Sequence, residues 1–272
     1  MAGAVQPCTC QDLLAEEAKL KRLRADGAAA AAAYKPPGDP DGVPPGYTEA
    51  TPEQLREMNL NPAMLEHPRD GNGKPTDFRA RVFVNSTTGE RIVAFKGTES
   101  GADWGQNLRQ GAGMDSFYYK QAQRIGGSIA ASPQAANTHF TGHSLGGGLA
   151  TAASRNSGLP AATFNAASLN KGTVPQPNTN GRIDAVNVRG DPLTAANEGL
   201  IGTTPGTEVY KLDPPDYLGQ DVAKKYPWYD LKNRAIAFKN RQLALHGMGT
   251  ANDAMAKRAG QVDQAIKDNK CR

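Results

Sequence analysis

The fold class this sequence predicts is α/β, a three-layer sandwich built on a mainly parallel sheet, and three observations predict it. Short β-rich runs alternate with helix-forming segments, the pattern of parallel strands joined by helical crossovers. The 272 residues, 38% of them hydrophobic, suffice for one sizeable core. Gly142-His143-Ser144-Leu145-Gly146 carries the G-x-S-x-G pattern of a tight strand-to-helix turn. Such a turn lifts a serine hydroxyl into a cleft above a sheet.

From the start of the chain, Asp12 to Arg24 reads as an amphipathic helix, with Leu13, Leu14, Ala18 and Leu20 near helical spacing. Ala25 to Tyr34 favours its continuation past Gly27. Lys35 to Tyr47 is a proline- and glycine-rich loop. Thr51-Pro52-Glu53-Gln54 starts a short helix, with a capping threonine, proline at the first helical position and glutamine three residues after the cap. Asp70 to Lys74 is turn-rich. The sheet is expected to begin at Arg79 to Asn85, paired through Ser86–Glu90 with Arg91 to Lys96 as a hairpin.

A helix is expected from Tyr119 to Ala131, then a rather polar strand from Asn137 to Thr141. After Ser144, Leu149, Ala150, Ala152 and Ala153 favour a helix that stops at Asn156-Ser157-Gly158. Ala161 to Asn165 and Ile183 to Val188 are further strands. Pro192 to Gln242 reads as irregular, and Met248 to Ile266 as a closing helix.

Composition narrows the function classes. No apolar run approaches the ~18 residues of a membrane span. The first residues lack a basic segment followed by an apolar one, so a cytosolic protein is expected, or one exported by a route that reads no such signal. A net charge of +4 is spread among interleaved acidic residues, which argues against a nucleic-acid footprint. Cys8, Cys10 and Cys271 lie near the ends. Free thiols and a disulfide from Cys271 to Cys8 or Cys10 are both open readings; a zinc site is not expected.

A serine hydroxyl attacks a carbonyl only when a base takes its proton, and a histidine base needs a carboxylate to fix its tautomer. In elbow-type hydrolases the chain order is serine, acid, histidine. Of four histidines, His67 and His139 precede the serine and His143 lies inside the turn, expected to point away. His246 alone follows. For the acid, Asp191 is preferred, because it leaves the strand Ile183–Val188 through Arg189-Gly190; Asp213, Asp216, Asp221 and Asp230 remain rivals. Leu145 N–H and the loop at Gly97-Thr98 are the expected donors to a developing oxyanion.

RIVAFKGTES, Asp103-Trp104, Asn107-Leu108, TGHSLGGGLA, AATFNAAS, VNVRGDPLT and His246-Gly247-Met248, in that order, resemble the motif set of the class 3 (fungal-type) lipases. The resemblance spans about residues 79 to 250. It implies an α/β-hydrolase fold with Ser144, Asp191 and His246 as triad, Thr98 and Leu145 as oxyanion hole, no cofactor or metal, and a fatty-acid ester as substrate. Residues 76–272 would then be the hydrolase domain, and 1–75 a helical and loop extension packed on it. The Asn-Leu-Arg-Gln-Gly stretch after Asp103-Trp104 and the Gly-Asp-Pro-Leu-Thr motif resemble bacterial phospholipase effectors of interbacterial competition. That second resemblance implies phospholipid substrate, transient membrane contact, delivery by a specialised secretion system into a target-cell periplasm, and a cognate immunity protein. The sequence departs from the first family in its polar strand before the turn and in Lys96, where arginine is common.

Glu99 to Tyr119, with Trp104, Met114, Phe117, Tyr118 and Tyr119, reads either as a mobile cover or as the opening of a core helix, and Gly199 to Trp228 as a cover on the other side. Rival functions are a small-ester or thioester hydrolase with the same triad and a non-catalytic interaction protein that keeps the fold.

Overall fold

The computed structural model describes residues 9–98, 116–169, 172–195, 206–218, 226–227 and 229–272. Seven strands form one sheet in the order in which they occur along the chain: β1 (Tyr47–Glu49), β2 (Ala80–Asn85), β3 (Arg91–Phe95), β4 (Thr138–His143), β5 (Ala161–Phe164), β6 (Ile183–Val188) and β7 (Thr207–Leu212). β1, β2 and β3 pair antiparallel, while β3 through β7 are parallel throughout. The hairpin and the strands at β5 and β6 lie where the sequence puts them. β1 adds an edge strand ahead of the expected start of the sheet. β7 replaces part of a stretch expected to be irregular; only Leu212 of its side chains is buried, so its alternation is a weak signal.

Strand order that never reverses has a consequence for the layers. Right-handed crossovers that advance in one direction leave their helices on one face of the sheet. α4 (Ser116–Ala130) and α5 (Leu145–Ser157) pack together there, over Val93, Phe95 and Phe140, with the short α2 (Pro52–Glu57) and α3 (Pro62–Leu65) at the margin. α2 starts as expected, with Thr51 and Gln54 capping each other's backbone N–H.

The opposite face is covered by elements from the two ends of the chain. α1 (Cys10–Ala32) crosses β3 and β4, and α7 (Met248–Asp268) packs against α1 and β6. Leu23 and Ala30 of α1 share a core cluster with Phe164, Val186, Ala251 and Met255. A disulfide joins Cys10 to Cys271, with Cα atoms 5.2 Å apart. Cys8 lies outside the described residues.

The polarity of β4 has its explanation here. His139, Thr141 and His143 share the face toward α1, because side chains alternate along a strand. His139 Nε2 donates to Asp26 Oδ1 at 2.5 Å, and Thr141 Oγ1 donates to the Asp26 carbonyl at 3.2 Å. Both Asp26 and His139 are buried. Burial alone would depress His139, but the Asp26 carboxylate and Glu90 outweigh it and hold the imidazole above its ordinary value.

α6 (Leu231–His246) is the principal departure from expectation, a sixteen-residue helix in the second half of the irregular stretch. Its apolar residues are exposed for most of its length, so it lacks the buried stripe that identifies a helix from sequence. Among the described residues, no helix is long and apolar enough to cross a membrane.

Candidate active site

Ser144 sits between β4 and α5 with φ +58° and ψ −124°, a backbone conformation rare for a residue with a side chain. The surroundings hold it there: Ser144 N–H donates to the Phe164 carbonyl at 3.0 Å, and its carbonyl accepts from Gly147 and Ala167. The flanking glycines are steric necessities. A Cβ on Gly142 would collide with the Gly146 carbonyl, and one on Gly146 with the Phe95 carbonyl at the end of β3.

The three residues named from sequence meet. His246 Nε2 lies 2.9 Å from Ser144 Oγ, and His246 Nδ1 lies 2.8 Å from Asp191 Oδ1. A carboxylate can only accept, so Nδ1 carries the proton and Nε2 is left to accept from the serine hydroxyl. Asp191 Oδ2 accepts from Thr194 N–H at 2.8 Å, which occupies its second oxygen. Ser144 is 4% exposed, His246 8% and Asp191 0%. The resulting arrangement is a buried hydroxyl, a base aligned with it and an anion behind the base, suited to nucleophilic attack on an acyl carbon.

The rival aspartates are employed elsewhere. Asp213 pairs with Arg189 and Asp216 with Lys257, both at the surface, while Asp230 caps α6 through Asn233 N–H. Asp221 lies outside the described residues. His67 bonds the Thr76 carbonyl, and His139 bonds Asp26 at the other end of β4.

Leu145 opens α5, so its N–H has no carbonyl to reach inside the helix. The exit of β3 runs beside this first turn, since a Cβ on Gly146 would also meet Gly97 N at 3.0 Å. Thr98 is exposed at the end of that segment. The Glu99–Tyr119 cover lies outside the described residues up to 115, and most of Gly199–Trp228 does too; Phe117, Tyr118 and Tyr119 belong to α4.

Three further residues hold the site: Tyr34 and Asn165, to which the sequence assigns no role, and His143, expected only to point away from the turn. His143 is not idle: its ring lies 4.9 Å from that of His246, and its Nε2 donates to the His246 carbonyl at 2.6 Å. Burial, reinforced by His246, pushes His143 down to about 4, so the ring is neutral. Its other nitrogen, Nδ1, therefore accepts from the Tyr34 hydroxyl at 2.9 Å. Asn165, with φ +42°, donates from Nδ2 to the Leu245 and His246 carbonyls at 3.1 Å and accepts the Val188 N–H at 2.9 Å. It thereby fixes the histidine-bearing end of α6 to the strand that leads to Asp191. The one available signal was the polar face of β4, whose partners come from the distant α1 region.

A family model described as phospholipase-like, a Tle-like phospholipase domain, matches residues 26–210. Over 129 residues the chain is 34% identical to an extracellular phospholipase A1 of Serratia liquefaciens, a match that takes in 47% of this chain and 38% of that protein. The chain thus spans about two fifths of that relative's length. Among solved structures, it resembles a mutant form of MDLA of Penicillium cyclopium, with 15% identity, TM-score 0.40, and coverage of 73% of this chain and 81% of that one. It also resembles a dienelactone hydrolase-like promiscuous phosphotriesterase from metagenomic libraries, with 14% identity, TM-score 0.33, and coverage of 58% and 75%. The family match runs from the last third of α1 into β7, and the chain belongs to the phospholipase-like family, as a Tle-like phospholipase domain.

Proposed function

We propose that the chain is a serine carboxylester hydrolase acting on lipid esters, a phospholipase A-type enzyme. The observation that carries the reading is the unbroken line from Ser144 Oγ to His246 to Asp191, with distances of 2.9 and 2.8 Å. Ser144 attacks the ester carbonyl carbon as His246 takes its proton, and Leu145 N–H with the Thr98 region stabilises the oxyanion. Collapse of the tetrahedral intermediate expels the alcohol, which receives the proton from His246. Water then enters by the same route, releases the fatty acid and restores the serine. Lipid as the substrate class is supported by the family and by the phospholipase A1 relative.

Residues 76–272 form the hydrolase domain in this reading, and 1–75 an extension whose helix lies across the sheet. The enzyme acts outside its producer, as an effector delivered into a competing cell and neutralised at home by an immunity protein. The Cys10–Cys271 disulfide supports an oxidising destination.

Labelling by a fluorophosphonate probe tests the nucleophile: the parent reacts and Ser144→Ala does not. Mass spectrometry of mixed phospholipids after incubation tests the substrate class. Release of fatty acid and lysophospholipid is expected; cleavage of soluble short esters with intact phospholipids would overturn the lipid assignment.

A further inference from the structure

We propose that α6 is a docking helix for an anionic phospholipid surface, which delivers the lipid to the adjoining His246. This deepens the phospholipase reading and rests on it.

The helix repeats itself. LKNRAIA from Leu231 is followed by FKNRQLA from Phe238 and then by Leu245-His246. Seven residues return a helix to within about 20° of the same direction. Leu231, Phe238 and Leu245 therefore form one line along α6. Lys232 and Lys239 form the line on one flank and Arg234 and Arg241 that on the other.

The apolar line begins in the core and leaves it. Leu245 packs with Val188 and Met248, whereas Phe238 is 61% exposed and Leu231 73%. Ile236 is exposed as well, and Tyr229, just ahead of the helix, is 71% exposed. Between Asp230 and Asp253 there are four lysines and arginines and no acidic side chain.

An aromatic and aliphatic stripe between two basic rows is complementary to a bilayer interface with negative head groups. The apolar side chains enter the acyl boundary while Lys232 and Lys239, both exposed, reach the phosphates; Arg234 and Arg241 are half-buried and donate to the Tyr226 and Leu218 carbonyls, so they add positive charge from behind. A protein helix fits less well, because the two large apolar residues of each repeat, Leu231 with Ile236 and Phe238 with Leu243, are spaced five and two apart rather than the three and four of a coiled-coil seam. Phe238 lies eight residues, about 12 Å, from His246 along the helix. A membrane held there lies within about 12 Å of His246, measured along the helix axis.

The test uses the full chain carrying Ser144→Ala, so that binding is read without turnover. Vesicles of phosphatidylcholine alone and vesicles containing phosphatidylglycerol are floated with the protein. Binding to the anionic vesicles that weakens with added salt is expected. Phe238→Glu should lower the vesicle partition coefficient roughly tenfold, and the pair Lys232→Glu and Lys239→Glu roughly thirtyfold or more, which is about 2 kcal/mol for the two basic groups lost. With Ser144 restored, these variants should hydrolyse a soluble short-chain ester at the parent rate and unfold at the parent temperature. Equal flotation with both lipids, no flotation, or variants that bind like the parent would overturn the proposal. So would self-association abolished by Phe238→Glu without any vesicle binding, which would assign the stripe to a second copy. A chain that floats but cleaves no ester would leave the docking surface standing and remove the hydrolase reading.

Discussion

At the residue scale, the site depends on a base held by its own backbone as well as by its ring. Asp191 orients the His246 imidazole, while His143 and Asn165 hold the His246 carbonyl. Replacing Asp191 by asparagine keeps the shape but permits the wrong tautomer, and kcat should fall by about 10³–10⁴ with the unfolding temperature little changed. Asn165→Ala strands the buried Val188 N–H, which costs about 1–3 kcal/mol, so a lower thermal midpoint should accompany its loss of rate. Tyr34→Phe should lower turnover severalfold without affecting substrate affinity, because the hydrogen bond to His143 goes while the ring stays in place. The juxtaposition of Ser144 with His246 was legible because hydrolase chain order left a single histidine, whereas Asp191 was a preference among five aspartates, resting on its place just after β6. Tyr34 and Asn165 were not legible, since nothing local marks a tyrosine more than a hundred positions before the strand it supports.

At the scale of elements, β4 carries two histidines displaced in opposite directions. His143, lowered to about 4, is neutral in the fold but takes a proton in the unfolded chain below its ordinary 6.5. The stability it favours is present above that value and is lost as pH falls toward about 4. His139, raised by Asp26 and Glu90 against its burial, has the reverse sign: its contribution is complete below 6.5 and disappears as pH rises through the folded value. Asp26→Asn should therefore destabilise more at pH 6 than at pH 9, as thermal unfolding at the two values would show. Equal loss at both would mean that charge has no part in the contact. The hairpin, β5, β6 and α5 were readable from alternation, turns and caps. α6 was not, because its pattern serves a surface, and β1 is only three residues long.

For the whole molecule, the layers follow from strand order, with one face covered by crossovers and the other by helices from the chain's extremes. That second layer contains both ends of the disulfide. Reduction releases a very long loop, for which about 2–5 kcal/mol of stability is expected to be lost, or about 4–10 °C in the thermal midpoint for a chain of this size. A midpoint indifferent to thiol reagent would show that α1 and α7 hold together by packing alone.

The bond between Cys10 and Cys271 also changes the topology of the polypeptide. Once it closes, the stretch from Cys10 to Cys271, a sequence separation of 261, is a covalent ring. A ring cannot be threaded end-first through a pore wide enough for one extended strand, because two strands would have to pass abreast. Oxidation therefore follows any passage as an unravelled thread, or else the protein travels as a finished particle.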